Sequence, residues 1–430
     1  MSMASVFRRV RRTLREEGVG GVLRRVLARM LAAVVDLPSE APMLSLTREH
    51  RATLPLDAPG PTDPAGPRGG LHLHWIVPPF AAGAGGHNAI FQVICQLERL
   101  GHRSTIWLHD RTARLDAAEE RERIRAGFVP LDADVQVLAG AADCGRIRGD
   151  VAIATDRWTA WPLRSVRSVR LRCYFIQDFE PLFYPAGTES LLTEATYGFG
   201  FAPICSSAWL AGLMQARGLA VDRFRYGLDH AVYRPEAGSE SGEPRDVPAE
   251  GGRIAFYGRA STPRRAVALG VMGLELLAER RPGLEVEVFG GGFTHQGARF
   301  RFVDHGVRSP VELAGLYRGA DVGLALSATN HSLVLREMLA CGLPVVDVDV
   351  ESVRSEFGGE ALRLAEPTPD GLAAALDGLL GSVERRRGQI AAGLAAVAGC
   401  TWEAAAQEVE KILQRLLAGP SEADQAGKTD

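Results

Sequence analysis

Lysine is almost missing from this chain. Only Lys411 and Lys428 occur in 430 residues, and arginine carries nearly all the positive charge. That bias reads as the mark of a GC-rich genome and says nothing about chemistry. There is no basic excess either: the net charge is -3, whereas a protein that neutralises nucleic-acid phosphates needs a clear surplus of cations. Nucleic acid is therefore excluded as the main partner. The six cysteines (Cys95, Cys144, Cys173, Cys205, Cys341 and Cys400) form no CxxC pair and show no zinc-finger spacing with histidine. Several lie in apolar stretches, where cysteine acts as a small hydrophobe, and the reducing cytoplasm is the simplest location. No apolar run reaches about 18 residues, so no membrane-spanning helix is expected. The first apolar stretch is laced with arginine and has no plausible cleavage site, so no secretory signal is expected. HExxH, G-x-S-x-G and a GxGxxG turn with its acidic ribose residue are all missing. The first two absences speak against metal and serine hydrolases, the third against a dinucleotide site. The histidines, His331 among them, read as structural, and no metal is expected.

What is present is enough apolar sequence, 46% against 23% charged, for two α/β domains. Residues 1–36 stand apart. They hold eight arginines, and Val22, Leu23, Val26, Leu27, Met30, Leu31, Val34 and Val35 fall on one helical stripe. Such a basic amphipathic helix suits an anionic membrane surface or the protein's own body equally well. Residues 37–70 contain seven prolines and read as an extended linker. The folded body opens with a strand-like run at 71–77, the glycine loop 81–86 and a helix ending at Gly101. Further strands are expected at 104–108, 151–154, 172–176 and 202–205, which makes 71–235 a Rossmann-like domain. After the turn-rich segment 235–252, strands at 253–257, 284–289, 302–305, 321–326 and 344–348 alternate with helices near 264–280, 310–319 and 332–341. That order predicts a second parallel sheet over 252–400. A last helix over 401–418 and a polar tail over 419–430 complete the chain.

Two doubly wound sheets in tandem bind ligands beyond the carboxyl ends of their strands, and the motifs fall there. In the second domain a strand runs into Gly258-Arg259. Glycine permits close approach of a phosphate, and Arg259 with Arg264 or Arg265 supplies forked donors for a diphosphate. Downstream, Ser332 and Leu333 open a helix whose free N–H groups favour an anion. Glu337 lies about 1.4 turns inside it, placed to hold a ribose diol. In the first domain, Gly83, Gly85 and Gly86 form a loop facing the cleft, and Gln177-Asp178 end a strand.

Gly258-Arg259, then Arg264, then Glu337-Met-x-Ala-x-Gly-x-Pro-Val resembles the donor site of glycosyltransferase family 4, which has the GT-B fold. The resemblance implies that Arg259 and Arg264 bind the donor diphosphate, Glu337 the ribose, and Gly258, Val307, Ser332 and Leu333 the rest of the donor. It places Trp402 on the segment that crosses back to the first domain. One position departs: the usual donor-sugar Glu, eight residues before the ribose Glu, is Thr329 here, and a hydroxyl cannot reproduce a carboxylate's paired hydrogen bonds. The run Cys173–Pro185, with Tyr226-Gly-Leu-Asp229 and Phe256–Pro263, resembles bacterial rhamnosyltransferases of the rhamnan-synthesis (WsaF-like) type. The implied activity is transfer of a sugar, rhamnose or another deoxysugar, with retention. The donor would be a nucleoside diphosphate such as dTDP-rhamnose, and the acceptor a glycan or lipid-linked acceptor in surface polysaccharide synthesis. Asp178 is the candidate for orienting donor sugar or acceptor, with Gly85, Gly86 and Gln177 on the acceptor side. The protein itself would need no cofactor and would work in the cytoplasm, peripherally at the inner membrane if residues 1–36 bind there. A GT-B nucleotide-sugar epimerase and a non-catalytic nucleotide-sugar-binding protein remain the rival readings.

Overall fold

The computed structural model describes residues 41–51, 70–81, 83–112, 114–236, 244–295 and 297–418. The expected amphipathic helix of 1–36, most of the proline-rich segment and the tail 419–430 lie outside these residues. The chain divides into two compact units, 1–52 and 53–430. In the first, Ala41–Arg51 is a helix where an extended linker was expected. Its one proline, Pro42, falls in the first turn, where a missing N–H breaks no helical hydrogen bond. Leu46 and His50, one turn apart, are both buried.

The second unit holds two parallel sheets. The first is built from β1 (His72–Val77), β2 (Arg103–His109), β3 (Asp134–Leu138), β4 (Arg148–Ala154), β5 (Ser168–Ile176), β6 (Ala202–Cys205) and β7 (Asp222–Arg223). Its order is β3-β2-β1-β4-β5-β6-β7. The second is built from β8 (Gly251–Tyr257), β9 (Gly283–Phe289), β10 (Arg301–Asp304), β11 (Val322–Leu324), β12 (Val345–Val348) and β13 (Arg363–Ala365). Its order, β10-β9-β8-β11-β12-β13, repeats the pattern of the first. Both sheets are covered by helices on both faces, so their central strands are apolar almost throughout. Leu73, Trp75 and Val77 of β1 enter the core on one side and Ile76 the core on the other. In β8, Ile254 and Phe256 face one core and Ala255 the opposite one.

In each sheet the chain reverses direction of winding beside its first strand, between β1 and β4 and between β8 and β11. Loops leaving the carboxyl ends of those strands diverge and open a crevice. The strands missed by sequence pattern, β3, β7 and β13, lie at or near sheet edges and are short or partly polar (DVQVL, DR, RLA). They have too little alternation to stand out.

The last helix, Trp402–Ala418, follows the second domain but packs on the first. Trp402, Ala405, Ala406, Val409, Ile412 and Leu413, spaced at three and four, join the core of the first sheet. Its entry is fixed by a backbone bridge in which Leu228 N–H donates to Cys400 O at 3.0 Å. A Cβ on Gly227 would sit 2.3 Å from Trp402 N, so the two segments cross at a point where only glycine fits. No described helix is long and apolar enough to cross a membrane.

Candidate functional site

A cleft of about 400 Å³ separates the two sheets. From the first domain it is lined by the loop after β1 (Gly83 to His87), by Thr155 and Asp156 after β4, and by Gln177, Asp178 and Glu180 after β5. From the second come Arg259, Thr262, Arg264 and Arg265 after β8, Gly290 after β9, Val307 and Arg308, and the His331–Glu337 segment after β11. Every predicted site residue except Gly258 is in that lining. Gly258 sits behind it, where a Cβ would press on Val288 Cγ1 at 2.5 Å. The residue therefore has to be glycine for β8 to turn out of the sheet.

The turn after β8 sets the cations. Pro263–Arg265 is a short 3-10 turn, and Ala266 beyond it is the one described non-glycine residue with left-handed backbone, at φ 42°. Such a backbone is costly for alanine and persists where the surroundings enforce it. The three arginines of this segment point differently. Arg259 reaches across the cleft, its Nη1 donating to Gly83 O at 3.1 Å. Arg264 also reaches across, with Nε 3.3 Å from Asp178 Oδ2 and its guanidinium 4.2 Å from the Phe183 ring centre. Arg265 is 8% exposed, lines the cleft, and its Nη1 has no hydrogen-bond partner among the described residues. Sequence reasoning favoured Arg264 as the second diphosphate cation. Both guanidiniums carry a buried N–H without a hydrogen-bond acceptor among the described residues, Arg264 at Nε and Arg265 at Nη1. Arg264 faces Asp178 while Arg265 is paired with no described carboxylate, so Arg265 joins Arg264 as a candidate for holding an anion. Two adjacent arginines differ only in where the turn points them, and no sequence pattern could have separated them.

Asp178 does not stand open in the cleft. Its Oδ1 accepts from Phe179 N at 2.9 Å and from Asn330 N at 3.0 Å. Its Oδ2 accepts from Thr329 Oγ1 at 3.0 Å and faces Arg264. Burial pushes its carboxyl upward, opposed by Arg264 and these hydrogen bonds. The hydroxyl found where the family resemblance leads one to expect a glutamate thus bonds a carboxylate supplied by the other domain. Gln177 joins the same contact: its carbonyl accepts from Asn330 Nδ2 at 2.8 Å, and its side-chain Oε1 from the Tyr226 hydroxyl at 3.2 Å.

Ser332 caps the helix Leu333–Ala340, its hydroxyl accepting from Val334 N at 3.3 Å. Glu337, one turn in, receives the Tyr317 hydroxyl on Oε2 at 3.2 Å. Burial pushes its carboxyl up to about 7, against the hydrogen bonds from Tyr317 and Tyr233. The glycine loop meets the second domain closely. A Cβ on Gly83 would lie 3.1 Å from Val307, one on Gly85 3.9 Å from Leu333, and one on Gly86 3.7 Å from the Gln177 amide. Asp156 and Glu180 add two cleft carboxyls that sequence reasoning passed over. Burial raises both, and Glu180 accepts from Arg157 N at 2.8 Å. Their positions just past β4 and β5 were the available signal. Among the described residues no group of three His, Cys, Asp or Glu is placed to hold a metal ion.

Comparison with known proteins bears on this geometry. Residues 252–377 match the family model described as WsaF, C-terminal domain. The O-antigen biosynthesis protein RfbC of Myxococcus xanthus is 33% identical over 353 residues, covering 80% of this chain but 27% of that protein. This chain thus spans about a quarter of that relative's length. Among solved structures, sucrose-phosphate synthase (tll1590) from Thermosynechococcus elongatus superposes with a TM-score of 0.62 at 15% identity, over 81% of this chain and 100% of the other. Anabaena Alr3699/HepE, in complex with UDP and glucose, superposes with a TM-score of 0.60 at 15% identity, over 80% and 99%. With its two matching sheets facing one cleft the chain has the GT-B fold, and residues 252–377 are similar to the C-terminal domain of WsaF.

Proposed function

We propose that this protein is a glycosyltransferase of bacterial surface-glycan synthesis. It would move a sugar, rhamnose or another deoxysugar, from a nucleoside-diphosphate donor such as dTDP-rhamnose to a glycan or lipid-linked acceptor. The observation that carries this reading is the buried Arg265, whose Nη1 lacks a partner among the described residues, in one cleft lining with Arg259, the Ser332-capped helix N-terminus and Glu337. A diphosphate satisfies the first three together, and a ribose hydroxyl pair reaches the fourth. The name of the Myxococcus relative, an O-antigen biosynthesis protein, and the UDP bound by the Anabaena structure support the class of acceptor and of donor respectively.

Transfer with retention follows the resemblance to family 4. The bond between the anomeric carbon and the diphosphate oxygen breaks. The acceptor oxygen bonds to that carbon on the same face, and its proton passes to the departing phosphate. Arg259 and Arg265 stabilise the charge that gathers on the leaving group, which is where preorganised cations lower a barrier. Arg264 and Asp178 hold the two walls of the cleft against each other.

The test is a panel of nucleoside diphosphates and nucleotide sugars followed by thermal shift, since a ligand that binds only the folded chain raises its melting temperature. At least one donor should stabilise the wild type. Arg259→Ala should abolish that shift, and Arg265→Met should weaken UDP or dTDP binding about tenfold or more, the scale of one charge-assisted hydrogen bond. Unchanged affinity in both variants would place the nucleotide elsewhere.

A further inference from the structure

Unpaired polar groups line the cleft. Among them, Arg265 Nη1 and both ring nitrogens of His331 are buried there and without a hydrogen-bond partner among the described residues. His331 is the most telling. It is 3% exposed and belongs to the cleft lining. It is held edge-on by Phe357, with ring centres 5.2 Å apart, and by Tyr226 at 6.0 Å. A ring fixed by two aromatic neighbours cannot turn to seek water, and an imidazole that is desolvated with neither nitrogen paired lowers stability. Such a ring in the cleft lining is available to a polar ligand.

The chemistry of that ligand follows from the ring's charge. Burial, with Arg336 and Arg265 nearby, keeps His331 well below its usual range and hence neutral. A neutral imidazole offers one donor and one acceptor, and a hydroxyl group supplies the complement of both. The position is equally restrictive. His331 directly precedes Ser332, the cap of the helix whose N-terminus faces the proposed diphosphate. Tyr226, its neighbour, also fixes the Gln177 amide on the opposite wall.

We infer that His331 is a specificity-determining side chain that hydrogen-bonds a hydroxyl of the transferred sugar, an inference that rests on the nucleotide-sugar site proposed above. The ring is packed against Tyr226 and Phe357, so the sugar reaches it as these neighbours give way.

The experiment separates the sugar from its nucleotide. The full chain is titrated calorimetrically with UDP and UDP-glucose and with dTDP and dTDP-rhamnose, and the ratio of affinities within each pair is taken. In the wild type one sugar nucleotide binds more tightly than its own diphosphate. His331→Phe, which keeps the ring contacts and removes both nitrogens, leaves binding of UDP or dTDP unchanged and lowers that ratio about tenfold. An unchanged ratio in His331→Phe overturns the role of His331, as does a wild type that binds both members of each pair equally. A wild type that binds none of the four ligands overturns the nucleotide site itself, which is a different failure. Should His331→Phe not fold, the imidazole ¹⁵N resonances of the wild type decide. They move on adding the tighter sugar nucleotide and stay in place with its diphosphate alone; movement with both, or with neither, refutes the contact.

Discussion

At the scale of single residues, the cleft concentrates groups whose burial changes their acidity. Glu337 is the clearest. Its carboxyl titrates near 7 because burial penalises the charged form, against an ordinary carboxylate value near 4.3. Between those values the folded chain keeps a proton that the unfolded chain has released, so stability falls as pH rises through this window. Glu337→Gln retains an acceptor for the Tyr317 hydroxyl and cannot ionise. From pH 4.5 to pH 8 the wild type should therefore lose about 2 kcal/mol more than the variant, a figure reduced from the full shift because part of the side chain faces the open cleft. Chemical denaturation of both proteins at the two pH values checks it. Equal pH dependence would mean that the carboxylate is ionised in the folded state. Asp347, also buried and raised to about 7, is common to both proteins and cancels in the comparison.

At the scale of elements, the crossing of Gly227 under the start of the last helix is a tight backbone-to-backbone junction. A methyl group there would overlap the Thr401–Trp402 backbone at 2.3 to 2.5 Å, and backbone, unlike a side-chain tip, has no rotamer to escape into. Gly227→Ala should cost about 2 kcal/mol or more of folding stability, in the range of overpacked sites, and a urea melt measures it. A variant of wild-type stability would show that the last helix can shift without loss. This junction explains why the helix is not a free appendage: its apolar stripe completes the first domain's core. The stripe itself could be read from the spacing of Trp402, Ala405, Ala406, Val409, Ile412 and Leu413. The domain on which it packs was expected only through resemblance, because periodicity shows that a face is buried without saying against what.

At the scale of the whole molecule, one carboxylate gathers several of the ties between the two sheets across the cleft. Asp178 accepts from Thr329 and Asn330 of the other domain and faces Arg264, while Arg336 and Glu356, paired at 2.5 Å, form a second buried ion pair beside the interface. Asp178→Asn replaces one acceptor oxygen by a donor that opposes Arg264. The Asn330 amide should then exchange with solvent about tenfold faster or more, the measure of losing a charged acceptor. Hydrogen exchange of peptides spanning 327–332 tests this; unaltered exchange would mean that the tie does not hold the halves together.

The sequence by itself determined the two-sheet architecture, since apolar runs alternating with helical stripes admit little else, and it located the cleft residues through the rule that ligands meet parallel sheets at strand carboxyl ends. Arg259, Glu337, Ser332 and the glycine loop were legible in this way, because their positions depend only on where a strand stops and a helix starts. Tertiary structure decided the rest. Arg264 turns onto Asp178 while its neighbour Arg265 lines the cleft without a carboxylate partner among the described residues, a difference set by packing. Asp178 became a bridge and His331 an unpaired cleft residue through contacts with residues about 105 to 150 positions away in sequence. Local pattern reports burial and turning; the pairing of polar groups across a cleft is set by the packing of whole domains.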